Sequence, residues 1–170
     1  MKGGETMDYE SLRADDFAVI QKYSDMVYRF AYSLVKDKYD AEDIHQEVFV
    51  KFICTHPKFK NTEHEKAWFL RVTINLCKNL WKTAWKQKMI SFLDSEAKEP
   101  VIEINKEDNI IEIVKQLPQK YKVVIHLFYY EELSIDEISQ VLKLRPSTIR
   151  CQLTRARKKL KELIKEDVDV

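Results

Sequence analysis

Apolar side chains recur at steps of three and four residues along most of this chain, the period of helices with one buried face. Phe17, Ile20, Tyr23, Val27, Phe30, Ala31 and Leu34 predict a first helix from Asp15 to Val35. It is entered through acids that suit the positive end of its dipole and should end near Asp37-Lys38, with residues 1–10 as a disordered lead. A second helix follows in YDAEDIHQEVFVKFI, with Asp40 as its N-cap, Pro57 beyond its end, and Ala41, Ile44, Val48 and Phe52 turned inward. A third runs from Ala67 to Lys88 with Phe69, Val72, Thr73, Leu76 and Leu80 on its core side. Periodicity then fades over an acidic, proline-containing stretch, so 89–106 reads as a linker. Helix resumes from Glu107 to Tyr130, interrupted at Leu117-Pro118-Gln119 because proline ends one helix or starts the next.

The last third, SIDEISQVLKLRPSTIRCQLTRARKKL from Ser134 to Leu160, predicts two helices joined by a three-residue turn. Ser134 and Glu137 stand at capping-box spacing, and Ile135, Ile138, Val141 and Leu142 give the first helix its buried face. The turn falls at Lys143-Leu144-Arg145, and Pro146 suits a first helical position. A positive φ at Lys143, where glycine would be easier, costs roughly 1 kcal/mol. Along the second helix Ile149, Leu153, Ala156, Leu160 and Ile164 form the apolar stripe. Ser147, Arg150, Cys151, Thr154 and Lys158 share the opposite side, backed by Arg155, Arg157, Lys159 and Lys161. Short donors and a long cation near a helix start, followed by further cations, suit base edges in a major groove and the phosphates beside it.

Composition supports this outline. Two glycines and four prolines in 170 residues favour helix, and 45% hydrophobic content can fill a core. The expected fold is all-α. Two small helical domains, 11–88 and 107–166, are joined by a flexible linker, and the second is a helix-turn-helix, winged-helix-like but built of helices. Cys54, Cys77 and Cys151 have neither C-x-x-C spacing nor neighbouring histidine pairs, so no metal site or disulfide framework is expected, and the four histidines read as structural or surface residues. Without a span-length apolar run or a signal-peptide pattern at the N-terminus, the chain is expected in the cytoplasm, with no direct membrane insertion.

The net charge of +1 conceals strong segregation. Lys66 to Lys88 holds six cations and no acid, Ser134 to Lys165 nine cations against three acids, and Ser91 to Glu112 between them seven acids against two lysines. Two basic surfaces joined by an acidic connector suggest two contacts on one polyanion. On the third helix Arg71, Asn75, Lys78, Asn79, Lys82 and Lys86 fall on one stripe without a carboxylate, where a merely solvated face would alternate signs. Trp68, Trp81 and Trp85 are available there for packing or stacking. Asp43, Gln46 and Glu47 share the outer face of the second helix, and Phe49 and Val50 extend that face with apolar area, as in a docking surface for a basic partner. The loop THPKFKNTEHE from Thr55 to Glu65 is either an ordinary connector or a pocket in which Phe59 and lysines hold a splayed base. No phosphate loop, paired catalytic carboxylates or nucleophile-base pattern is visible, so no enzyme and no cofactor are expected.

DAEDIHQEVF (Asp40 to Phe49), WFLRVTINLCKN (Trp68 to Asn79), LPQKYKVVIHLFYYEELS (Leu117 to Ser134) and RARKKL (Arg155 to Leu160), in this order, resemble the extracytoplasmic-function sigma factors, small promoter-specificity subunits of bacterial RNA polymerase. The resemblance covers about Asp15 to Ile164. It implies that Asp40, Asp43, Gln46 and Glu47 dock on core polymerase, and that Arg71, Asn75, Lys78, Asn79, Lys82 and Lys86 meet the −10 element. Ser147, Thr148, Arg150, Cys151, Thr154, Arg155 and Lys158 would read the −35 element. The family's turn glycine is Lys143 here, and its frequent Gly-Thr opening of the recognition helix is Ser147-Thr148. Partners implied are core polymerase, promoter DNA and, as is common in the family, an anti-sigma protein that can hold the factor at the membrane. The alternative is a self-contained helix-turn-helix regulator acting without polymerase, which would bind palindromes through dimerised N-terminal helices. Reach is adequate for the first reading: about 18 linker residues extend to roughly 60 Å, each domain adds a radius near 15 Å, and elements some 23 base pairs apart lie about 80 Å from one another.

Overall fold

A computed structural model of the protein describes residues 14–35, 37–91 and 109–168. Three helices make the first half: α1 (Ala14–Leu34), α2 (Lys38–Thr55) and α3 (Thr62–Ser91). They meet around Phe69, which is fully buried and lies with its ring 4.7 Å from Tyr23 of α1, 5.4 Å from Phe52 and 5.5 Å from Phe49 of α2, and 5.0 Å from its neighbour Trp68. Phe49 is therefore core, against the expectation that it widens the outer face. α2 is gripped by α1 on one side and α3 on the other, and its apolar sector is correspondingly wider than one stripe. The same holds for α3, where Leu70, Ile74 and Cys77 are buried besides the predicted positions, because α6 of the second half packs on its far side.

Caps set the boundaries. α2 starts at Lys38, earlier than predicted, because Asp37 and not Asp40 is its N-cap, accepting from the Asp40 amide at 2.9 Å. His56 closes α2 in the left-handed region at φ 40°, its amide bonded to Phe52 O. α3 likewise starts ahead of Ala67, since the Asn61 side chain accepts from the His64 amide at 2.8 Å and shortens the loop to a few residues.

The second half comprises α4 (Asn109–Lys115), α5 (Gln119–Ile125) continuing into a π-helical turn at His126–Tyr130, α6 (Ile135–Leu142) and α7 (Pro146–Val168). Pro118 stands at the N-cap of α5, as the predicted interruption requires. Both capping-box bonds at α6 are present: Glu137 N donates to Ser134 Oγ at 3.2 Å, and Ser134 N donates to Glu137 Oε2 at 2.7 Å. These bonds to its ionised form hold the Glu137 carboxyl below the usual carboxylate range. Lys143 does adopt φ 54°. Its amide bonds Ser139 O, and the Ser139 hydroxyl donates to Leu144 O across the turn, so small Ser139 ties both sides of the left-handed residue. Ile149, Leu153 and Ala156 are buried, whereas Ile164, predicted on the same stripe, is 42% exposed where α7 runs past the helices it packs on.

The two halves pack against each other in one buried cluster. The His126 ring stacks on Phe30 of α1 at 4.6 Å, and Lys115 Nζ sits 3.9 Å from the Tyr32 ring centroid. Two polar contacts join α3 to the second half. Lys66 Nζ lies 3.1 Å from both the Glu131 carboxylate and its carbonyl, and Arg71 donates from Nη2 to Gln140 O at 3.1 Å and from Nε to Val141 O at 3.4 Å. Beyond residue 91 the acidic linker expected at 89–106 lies outside the described residues.

Candidate nucleic-acid and partner interfaces

On α2 the predicted outer face is real. Asp43, Gln46 and Glu47 are exposed, and Asp40 is half-buried at the same end. Burial, and then the like charges of Asp37 and Asp43, raise the Asp40 carboxyl above its ordinary value. Tyr39, 77% exposed, falls on the same helical stripe as Asp43, Gln46, Glu47 and Val50, which is 40% exposed. Its place four residues ahead of Asp43 is the one sign in the sequence that Tyr39 belongs to this face. An acidic face carrying an exposed aromatic and an exposed aliphatic group can receive a basic, partly apolar helix.

On α3, Asn75, Lys78, Asn79 and Lys82 are exposed along one stripe, and Lys86 continues it in register. Arg71, the first member of that stripe, is half-buried and turned to the α6 carbonyls. Lys78 and the half-buried Trp81 line a cleft of about 320 Å³ whose other wall is Gln119, Lys120, Leu144 and Gln152 of the second half. Trp68, half-buried, packs edge-on against Phe52 and Phe59 and so takes part in packing at the margin of the core. Phe59 anchors the loop before α3 through Trp68 at 5.9 Å and His64 at 5.8 Å. A cavity of about 360 Å³ beside it is lined by His56 and Lys58 but also by Asp15, Asp16 and Glu65, a mixed charge for holding a nucleotide.

α7 carries the third surface. Ser147, Arg150, Cys151, Thr154, Arg155 and Lys158 are exposed and Thr148 is half-buried. Because α6 and α5 cover the Ile149-Leu153-Ala156 side, this face is the one left free to enter a groove. The Thr154 hydroxyl donates to Arg150 O at 3.0 Å, which leaves its oxygen lone pairs as acceptors for a base amino group. Arg157 has a different task from the cations around it. Its guanidinium lies over the Phe128 and Tyr129 rings at 5.3 and 5.6 Å, and Nε donates to the Tyr129 hydroxyl at 2.8 Å. It braces α7 against the π turn, a role that the run RARKKL gives no means of separating from phosphate binding.

Residues 19–87 match the family model Sigma-70 region 2, and residues 107–160 match Sigma-70, region 4. RNA polymerase sigma factor SigV of Bacillus subtilis is 33% identical over 83% of this chain and 86% of its own length. The ECF RNA polymerase sigma factor SigW of the same organism is 26% identical over 89% and 90%. The structure resembles that of the sigma factor RpoE from Bartonella quintana, solved in complex with the anti-sigma factor NepR, with a TM-score of 0.75 at 20% identity, covering 90% of this chain and 98% of that one.

Proposed function

We infer how this molecule works from the family to which it belongs, the RNA polymerase sigma factors of the extracytoplasmic-function class: it joins core polymerase, recognises −10 and −35 promoter elements and promotes transcription initiation. The observation that carries this reading is the presence of both sigma regions, in order, in one chain. A self-contained repressor has no use for an N-terminal half that matches region 2 and ends in an acid-free cationic stripe.

Each surface takes a part in that function. The α2 face, with Asp40, Asp43, Gln46 and Glu47, docks on the polymerase, and the exposed carboxylates of Asp43 and Glu47 favour a basic partner helix. Asn75, Lys78, Asn79, Lys82 and Lys86, with Arg71 at the head of their stripe, follow the −10 strand, the amides meeting base edges and the cations phosphates. Ser147, Thr148, Arg150, Cys151 and Thr154 read the −35 element from the major groove, where an arginine can bond guanine bidentately, while Arg155 and Lys158 hold the flanking backbone. The free energy of strand separation comes from binding unstacked bases, so the chain needs no hydrolysis and is not an enzyme. It works in the cytoplasm beside the polymerase, where an anti-sigma protein can sequester it. Run-off transcription with purified core polymerase is the test. A promoter-dependent transcript that vanishes without the chain is expected, and absence of both transcript and stable core complex overturns the reading.

A further inference from the structure

A cavity of about 120 Å³ opens where α1 meets α4 and the π turn, and none of its lining residues belongs to the polymerase-facing or DNA-facing surfaces. Aromatic rings make most of its wall. Tyr28 and Tyr32, one turn apart on α1, lie with ring centroids 6.2 Å apart and planes within 18°, and His126 and Tyr130 of the π turn lie 4.9 Å apart and within 16°. Phe30 stacks on His126 at 4.6 Å and fixes that ring further. His126 and Val114 are buried while Tyr130 is 53% exposed, so the cavity has a closed floor and an open mouth. Rings held in pairs leave little to order when a guest enters, which makes this a pre-formed site.

Size, charge and polarity select the guest. An apolar cavity of about 150 Å³ is enough to hold benzene, so this one suits a single six-membered ring. Aromatic walls favour a planar guest through offset and edge-on contacts. Cages of this kind often take a quaternary ammonium, but here Lys115 Nζ already sits 3.9 Å from the Tyr32 ring centroid and Arg29 stands in the lining, so a second cation is repelled. Arg29 is paired with Asp25 at 3.1 Å and Lys115 with Glu112 at 3.1 Å, which leaves little attraction for an anion. The polar handle is Ser33 at the wall: its hydroxyl donates to Phe30 O at 2.8 Å, so its oxygen is left as an acceptor. We propose that this cavity is a binding site for a small, neutral, planar aromatic molecule of the phenol class, its ring among Tyr28, Tyr32 and Tyr130 and its hydroxyl donated to Ser33. Neither polymerase nor DNA enters this chemistry, so the site stands independently of the sigma-factor function.

Titration of the full chain with phenol, followed by saturation-transfer NMR, measures the site directly. Saturable binding of one phenol per chain is expected. Cyclohexanol carries the same hydroxyl on a puckered aliphatic ring and should bind about two- to tenfold more weakly, the worth of the ring contacts it lacks. Tyr130→Ala, which removes an exposed wall at the mouth, should weaken phenol binding by a similar factor of about two to ten. Ser33→Ala, which removes the acceptor, should cost about two- to tenfold, the effect of one neutral hydrogen bond. A melt of each variant shows that it is folded, and either variant serves if the other is not. No saturable uptake, cyclohexanol bound as tightly as phenol, or a change below about twofold in every folded variant overturns the site. A chain that takes up phenol yet is inert in run-off transcription would refute the function and leave the site standing.

Discussion

Reversing the acidic face of α2 tests the docking surface most sharply. In Asp43→Arg with Glu47→Arg, two exposed carboxylates on adjacent turns become guanidinium groups without entering the core, which at this level of the helix consists of Ile44, Val48 and Phe49. Folding should not suffer. Arginine is a better helix former than aspartate, and removing the Asp43 charge relieves the repulsion that raises Asp40. Binding should suffer strongly. An exposed ion pair contributes about 0.2–1 kcal/mol, and a reversal replaces that attraction by repulsion of similar size, so two reversals cost about 1–4 kcal/mol. That corresponds to roughly fivefold to nearly a thousandfold weaker association with core polymerase. The loss should shrink as salt is raised, since it is electrostatic. Titration of labelled protein with core polymerase, alongside a circular-dichroism melt, measures both terms. An unchanged dissociation constant with an intact melt would remove α2 from the polymerase interface.

Other consequences can be checked separately. Arg150→Ala should cost about 1–3 kcal/mol of binding at a −35 element and relax discrimination at one upstream position; an equal loss on every sequence would make it a phosphate contact. Arg157→Ala should lower stability by roughly 1–2 kcal/mol through loss of the Tyr129 hydrogen bond and the ring contacts, seen as a reduced melting temperature, and stability equal to wild type would deny it the bracing role. Burial pushes the Cys77 thiol up to about 12, so a thiol reagent at neutral pH should modify Cys54 and Cys151 quickly and Cys77 only after unfolding, whereas three fast thiols would contradict the packing of α3. Burial alone would raise the Glu131 carboxyl, but the nearby His126 ring, 3.4 Å away, and the Lys66 ammonium outweigh it and leave it below its ordinary 4.5; the stability this group contributes is therefore fully present above about that pH and is lost as pH falls through the depressed value. A Glu131→Gln variant whose melting temperature matches that of the wild type throughout an acid titration would exclude Glu131 from this stabilisation.

Helix faces were legible because an amphipathic helix advertises its buried side by spacing alone. The same pattern placed Asp43 and Glu47 outside, and the capping box at Ser134 appears bond for bond. Boundaries were less legible where the chain offers two caps of equal chemistry. Asp37 and Asp40 both suit an N-cap, and only the structure shows that the earlier one accepts the later one's amide. Phe49 misleads for another reason: spacing reports one partner surface, and α2 has two. Arg157 shows a further limit, since an exposed arginine in a cationic run looks the same whether it faces phosphate or an aromatic pair on its own domain.

The relation between the halves was the least legible feature, and its chemistry explains why. Arg71 bonds main-chain carbonyls, which every residue possesses, so nothing in the sequence of α6 marks Gln140 and Val141 as its partners. Glu131, the acid opposite Lys66, sits in a loop with Glu132 beside it, and only burial separates the two. On α3 itself the boundary is sharp: Lys66 and Arg71 are engaged with the second half, while Asn75, Lys78, Asn79 and Lys82 are exposed one turn further on. Along that exposed stripe the side chains are amides and cations without a carboxylate. The acids of α3, Glu63 and Glu65, stand in its first turn, ahead of that stripe, where Glu65 pairs with Lys22 of α1. The charge segregation that first pointed to a polyanion therefore divides on α3 itself: the exposed stripe runs on from Asn75, while Lys66, on another face of the helix, and Arg71 hold the second half.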